Sequence, residues 1–218
     1  MGIYQALTAK PWLAEQGVAD NQYAGGVDTE PVKKLMLRIF LGVVATLFML
    51  MVVAYGGRMG YEDWRPAPQL RLLWANTLVL FLGSVALQWA LSAVRQGRID
   101  TMRVALLAAG AFTIVFLFGQ MLAWKQLSAM VNFDMANPAI GFFYMITGVH
   151  GLHLLGGLVA WGRAISRVWG KFDTEKMRQS VELCALYWHF LLLVWVVLFV
   201  LLFTGNNLDL LLKLCGIR

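Results

Sequence analysis

The sequence predicts an all-α integral membrane protein, a bundle of five transmembrane helices, and three observations carry that prediction. The chain of 218 residues is 60% hydrophobic and 14% charged, where a soluble domain is charged at about a quarter of its positions. Its mean hydropathy is +0.67. The apolar residues also gather into five runs, each near the roughly 20 residues that cross a bilayer.

Residues 1–32 are mixed in character, with Pro11, Gly17, Gly25, Gly26 and Pro31 scattered among them. They read as a cytoplasmic tail. The transmembrane bundle is expected over 33–204, and a short periplasmic tail over 205–218. The first apolar run starts only after Lys33 and Lys34, so no cleavable leader is expected.

The first span is expected at about 35–55. A loop with Glu62, Asp63, Trp64, Pro66 and Pro68 follows, its prolines suited to a surface turn. The second span, about 72–94, carries Asn76, Thr77, Ser84 and Gln88 as polar marks. Arg95, Arg98, Asp100 and Arg103 form a charged turn before the third span, about 104–124, which holds Gly110, Gly119 and Gln120. A polar loop from Lys125 leads to Pro138, a good first residue for the fourth helix, about 139–163. A hydrophilic linker over 166–179 precedes the fifth span, about 181–204. Beyond it, Leu208 to Leu214 reads as a short interfacial helix.

Orientation follows from the basic residues. Lys10, Lys33, Lys34, Arg38, Arg95, Arg98, Arg103, Arg163, Arg167, Lys171, Lys176 and Arg178 lie on one side, twelve of the 18. Arg58, Arg65, Arg71, Lys125, Lys213 and Arg218 lie on the other. The positive-inside rule then puts the N-terminus in the cytoplasm and the C-terminus outside. The same rule accounts for the net charge of +6, which excludes a nucleic-acid reading. Trp64, Trp74 and Trp124 are expected in the outer aromatic belt, Trp89 and Trp161 in the inner one. Cys184 and Cys215 cannot make a disulfide framework.

Chemistry is concentrated in two places. His150 and His153 lie three residues apart in the fourth span, hence on one helix face. Glu182, Tyr187, Trp188 and His189 mark the fifth; Glu182 and His189, seven apart, share a face. Ionisable groups at membrane depth usually face a bundle interior, and glycines such as Gly148, Gly151, Gly156 and Gly157 let another helix or a lipid chain come close. His150, His153, His189 and Glu182 could ligate zinc or iron in a stand-alone membrane metalloenzyme. Di-metal bundles, however, use several carboxylates, and this site offers one. The preferred reading is structural: these groups pair with one another, with buried backbone or with lipid headgroups and fix how two helices pack, with no catalytic, cofactor or metal residue expected. Asn76, Gln88 and Gln120 read as polar contacts between helices. A proton relay through Glu182 would need protonatable groups across the outer half of the fifth helix, and Leu191 to Phe203 supplies none. A small transporter would show an internal repeat, and the two halves show none.

Beside these residues a resemblance enters. Thr147-Gly148 followed by His150-Gly151-Leu152-His153 and Gly156 resembles the fourth span of the five-helix form of haem–copper oxidase subunit III. Glu182 followed by Tyr187-Trp188-His189-Phe190 and Val194-Trp195 resembles its last span. Leu73-Trp74-Ala75-Asn76-Thr77 with Gln88-Trp89-Ala90 resembles the second, and Gly119-Gln120 with Trp124 the third. The resemblance implies an accessory, non-catalytic subunit of a respiratory terminal oxidase in the bacterial plasma membrane. The complex would reduce oxygen to water and translocate protons. This chain would carry no redox centre, with haem and copper in the partner subunits, and would support catalytic subunit I. It also implies structural phospholipid in the cleft of a V of helices, with His150, His153, Glu182, Tyr187, Trp188 and His189 on a polar, lipid-associated packing face. The two-helix arm of the larger form would be missing here or come from another subunit, and a respiratory supercomplex is a further possible setting. The subunit-III-like partner of a nitric-oxide reductase is the alternative inside the family. The chain departs from the pattern at Val44, Ala123 and Leu192, where family members carry carboxylates, so proton roles tied to those groups do not carry over.

Overall fold

The computed structural model describes residues 29–68, 70–131, 137–169 and 174–204. Among them it has five helices: α1 (Thr29–Arg58), α2 (Leu72–Arg95), α3 (Ile99–Val131), α4 (Pro138–Trp169) and α5 (Thr174–Thr204). Each contains a segment long and apolar enough to cross a membrane. By contact the chain divides into Met1–Met36 and Leu37–Arg218. Of the first unit only 29–36 are described, as the opening turns of α1. The tails expected over 1–28 and 205–218, the interfacial helix at Leu208–Leu214, and Cys215 lie outside the described residues.

Most helices overrun the spans read from hydropathy. α3 continues to Val131, through a stretch expected to be loop, and α4 and α5 leave only 170–173 between them. At about 1.5 Å per residue, 33 residues reach about 50 Å, well past the roughly 30 Å hydrocarbon core. Hydropathy registers where the membrane ends, while the helix goes on until its backbone finds another partner.

The turns are locally encoded. After α2, Gly97 has φ of 71°, a left-handed conformation that glycine adopts freely, and the Arg98 N–H bonds back to the Ala93 carbonyl at 2.9 Å. Asp100 and Arg103, expected in that turn, instead open α3, where their side chains pair at 3.6 Å and the acid suits the helix N-terminus. Before α4, the Asn137 side-chain oxygen accepts the Ala139 N–H at 3.1 Å, and its amide donates to the Arg65 carbonyl at 2.8 Å. One residue thus caps α4 and fixes the loop after α1.

α2 and α3 make the closest pair; α5 packs on α2 and α4, and α4 on α3. One core cluster gathers Leu87, Ala90, Met102, Leu106, Val181 and Trp188; a second gathers Leu80, Phe116, Leu154, Leu191 and Trp195. α1 joins through a third, in which Val44, Phe48 and Tyr55 meet Ile146, Val194 and Leu198.

Candidate functional site

Three tryptophan–threonine bonds tie the bundle together. Trp188 on α5 donates its indole N–H to the Thr113 hydroxyl on α3 at 2.9 Å. Trp195 on α5 does the same to Thr77 on α2 at 3.0 Å, and Trp124 on α3 to Thr147 on α4 at 3.0 Å. Each hydroxyl in turn donates to the carbonyl four residues back: Thr113 to Ala109, Thr77 to Leu73, Thr147 to Phe143. A threonine can do this within hydrocarbon because its own helix takes its proton, leaving the oxygen to accept from a neighbour. Trp161 makes a fourth tie, donating to the Leu106 carbonyl at 2.9 Å.

Small residues seat these large ones. A Cβ on Gly110 would lie 2.1 Å from the Trp161 ring, and one on Gly157 would lie 2.7 Å from Tyr187 and 3.0 Å from Trp188. On Gly119 it would lie 2.1 Å from the Asn76 side-chain oxygen. Trp124 and Trp161, expected in the aromatic belts, are therefore half-buried interhelical ties, while Trp74 and Trp89 are exposed as a belt requires.

The six residues of the expected packing face fall into two groups. His150 is fully buried, its ring against Trp195 at 5.0 Å, Phe116 at 6.0 Å and Phe48 at 6.3 Å. His153 is half-buried beside Phe48 at 5.4 Å, and its Nδ1–H bonds the Val149 carbonyl at 2.8 Å. Tyr187 donates to the His153 carbonyl at 2.8 Å, and Trp188 follows it into the core. These four are brought together.

Glu182 and His189 are not. They fall on a stripe of α5 with Leu186, Leu193, Val196 and Val200, all four exposed, opposite the buried stripe of Cys184, Trp188, Leu191 and Trp195. Glu182 pairs with Arg178 at 3.3 Å and with Arg95 at the end of α2 at 3.6 Å. His189 bonds the Ala185 carbonyl through Nδ1, which leaves Nε2 as an acceptor. The seven-residue spacing correctly placed Glu182 and His189 on one face. Only the structure shows that both are half-buried on the more exposed side of α5, away from Trp188 and Trp195.

Asn76 and Gln120 are buried between helices, whereas Gln88 is exposed on α2. Of the positions where the resemblance leads one to look for carboxylates, Val44 and Ala123 are buried and Leu192 is half-buried. An open groove of about 400 Å³ runs between α1, α4 and α5, floored by Phe40, Gly156, Gly157 and Tyr187 and edged by Arg163. Among the described residues no group of three or more His, Cys, Asp or Glu is placed to hold a metal ion. In the ligand set of the metalloenzyme alternative, His150 packs against Trp195, while Glu182 pairs with Arg95 and Arg178 and shares with His189 the other side of α5.

The threonine–tryptophan ties were only half legible in the sequence. Thr77 and Thr147 stand out as polar marks, but Thr113 lies in an apolar run and its partner is 75 residues away. The available signal was a threonine inside a span facing a tryptophan-bearing helix.

Fold and site together define a polytopic membrane subunit whose polar side chains hold helices to one another. Comparison with known proteins gives the class its name. The family model for cytochrome c oxidase subunit III matches residues 59–206. The cytochrome c oxidase subunit 3 of Thermostichus vulcanus is 30% identical over 178 residues, covering 78% of this chain and 85% of the relative. The probable cytochrome c oxidase subunit 3 of Mycobacterium tuberculosis is 30% identical over 171 residues, 77% of this chain and 81% of the relative. A further relative in Synechocystis is 30% identical over 177 residues, covering 76% and 72%. The chain belongs to the cytochrome c oxidase subunit III family, whose members are subunits of an oxidoreductase complex in the respiratory chain.

Proposed function

We propose that this chain is the non-catalytic subunit III of a bacterial haem–copper terminal oxidase that reduces oxygen to water and translocates protons. It lies in the plasma membrane with its N-terminus in the cytoplasm. It holds no redox centre; haem and copper reside in the partner subunits. Its work is to stabilise catalytic subunit I and to retain phospholipid. The observation that carries this reading is the family match over residues 59–206, the stretch in which polar groups of α2–α5 bond helix to helix. Gln88 is exposed on α2, and half-buried His189 lies on the α5 stripe with exposed Leu186 and Leu193, both within apolar spans. Polar side chains there suit a protein partner better than acyl chains. The groove beside Arg163 has an apolar floor and a cationic edge, which suits an anionic phospholipid.

The test is purification of the chain from its native membrane in mild detergent, with absorption spectra, metal analysis and lipid mass spectrometry. The expected result is co-purification with a haem-bearing polytopic subunit and with phospholipid. A chain that comes out alone with a stoichiometric metal ion would sink the reading.

A further inference from the structure

We infer that Asn76, Gln120 and His150 line an internal water-binding site along α3, which packs against both α2 and α4. The inference rests on the bundle geometry and stands whether or not the oxidase reading holds.

The three side chains share one level of the bundle. The Asn76 side-chain oxygen lies where a Cβ of Gly119 would be, so its amide rests on α3 beside Gln120. Gln120 is one turn from Phe116 and one turn from Trp124 on the same face of α3. Phe116 touches the His150 ring, and Trp124 bonds Thr147. Both of these α4 residues lie within a single turn. Gln120 therefore stands between two side chains that reach the same turn of α4.

The level is polar, buried and unsatisfied by protein. Asn76 and Gln120 are each 4% exposed and His150 is 0% exposed. Five of their side-chain atoms have no protein hydrogen-bond partner: Asn76 Nδ2, both Gln120 atoms and both His150 nitrogens. Neighbouring polar groups are already committed, since Thr77 and Thr147 each donate to their own helix and accept a tryptophan N–H. Buried polar atoms in folded proteins find partners, and those that lack a protein partner are served by ordered water, which makes about three hydrogen bonds. Five atoms call for about two waters.

The chemistry selects water over other occupants. Two carboxamides and a neutral imidazole offer donors and acceptors together, as a water molecule does. An ion would bring a net charge into low dielectric without an opposite charge among the three side chains. The rings of Phe116, Trp195 and Phe48 around His150 wall the level, so that water here is bound and separate from bulk.

Pulsed X-ray hydroxyl-radical footprinting tests this on the native complex in detergent, because bound water makes radicals where it sits. Phe116 and Trp195 are expected to be oxidised several-fold faster than Met102, which is equally buried in the other cluster and intrinsically more reactive. The double variant Gln120→Leu with His150→Phe is expected to bring the Phe116 rate down to that of Leu106 or below. Labelling of Phe116 and Trp195 no faster than Met102 in the unmodified protein overturns the inference. So does unchanged Phe116 labelling in an assembled double variant. A cryo-electron microscopy map of the unmodified complex supplies a second reading that does not depend on the variant assembling. Density bridging Gln120 and His150 supports the site; a direct bond between those two side chains overturns it.

Discussion

α1 and the four helices behind it are held by different physics. Half of the α2 span is buried within the chain, but only 17% of the α1 span is. α1 reaches the rest through Leu41, Val44, Phe48 and Tyr55, a narrow stripe one face wide. Its contacts are apolar and aromatic, such as Phe48 against both histidines of α4 and Tyr55 against Phe142 at 5.8 Å. In α2–α5, indole–hydroxyl bonds and glycine seats fix each pair of helices at a particular register. Lipid tails are as apolar as leucine, so within a membrane apolar contact alone holds helices weakly, and close packing with specific polar bonds decides register. The family match begins at Met59, immediately after α1. The difference is that α2–α5 are joined by specific polar bonds, whereas α1 is joined to them by an apolar stripe.

The largest effect is expected from Trp188→Ala. It empties a site that is 2% exposed and removes the indole that Thr113 accepts from. A loss of about 3–5 kcal/mol follows from such truncations. Thermal unfolding in detergent is expected to show it as loss of the cooperative transition for the whole of α2–α5. Next comes Gly110→Ala, whose Cβ would meet the Trp161 ring at 2.1 Å. Overpacking of this kind costs about 1–3 kcal/mol, and indole fluorescence should report a displaced Trp161. Phe48→Ala sharpens the contrast directly. Hydrogen exchange is expected to rise across α1 while α2–α5 keep their protection; uniform loss of protection would show that α1 is joined as firmly as they are. Thr113→Val keeps the shape and removes one interhelical hydrogen bond together with the hydroxyl's bond to its own helix, with an expected cost of about 0.6 kcal/mol and at most about 1.7 for the interhelical bond.

The smallest effect lies outside the membrane. The Arg58 guanidinium, by bonding Asp63, holds its carboxyl below the ordinary carboxylate range. A depressed folded-state value means that any stabilisation is present above the ordinary range and fades as pH falls through the lowered value. Because Asp63 is exposed, salt screens the pair. Asp63→Asn is expected to lower the unfolding temperature slightly at neutral pH and to leave it unchanged in acid, which flattens the pH dependence.

Much of the frame was legible from the chain. Five apolar runs placed five helices, Pro138 opened α4, and Glu182 and His189 fell on one face as their spacing required. Helix ends were misplaced because hydropathy reports the depth of the membrane and not the reach of backbone bonding. The side of α5 on which Glu182 and His189 fall was hidden for a different reason. On α5 both faces are apolar, with Leu191 and Trp195 inside and Leu193 and Val196 outside, so hydrophobic pattern could not say which side meets α2 and α4. The tryptophan ties depend on register between distant spans, which no local pattern encodes.

The measurement that bears most directly on the central claim is to strip this chain from the purified complex and assay what remains for haem, copper and oxygen reduction. Haem and copper should stay with the remaining subunits, which should still reduce oxygen but unfold at a lower temperature until the chain is added back. Stoichiometric haem or copper leaving with this chain, or an unchanged unfolding temperature without it, would contradict a non-catalytic stabilising subunit.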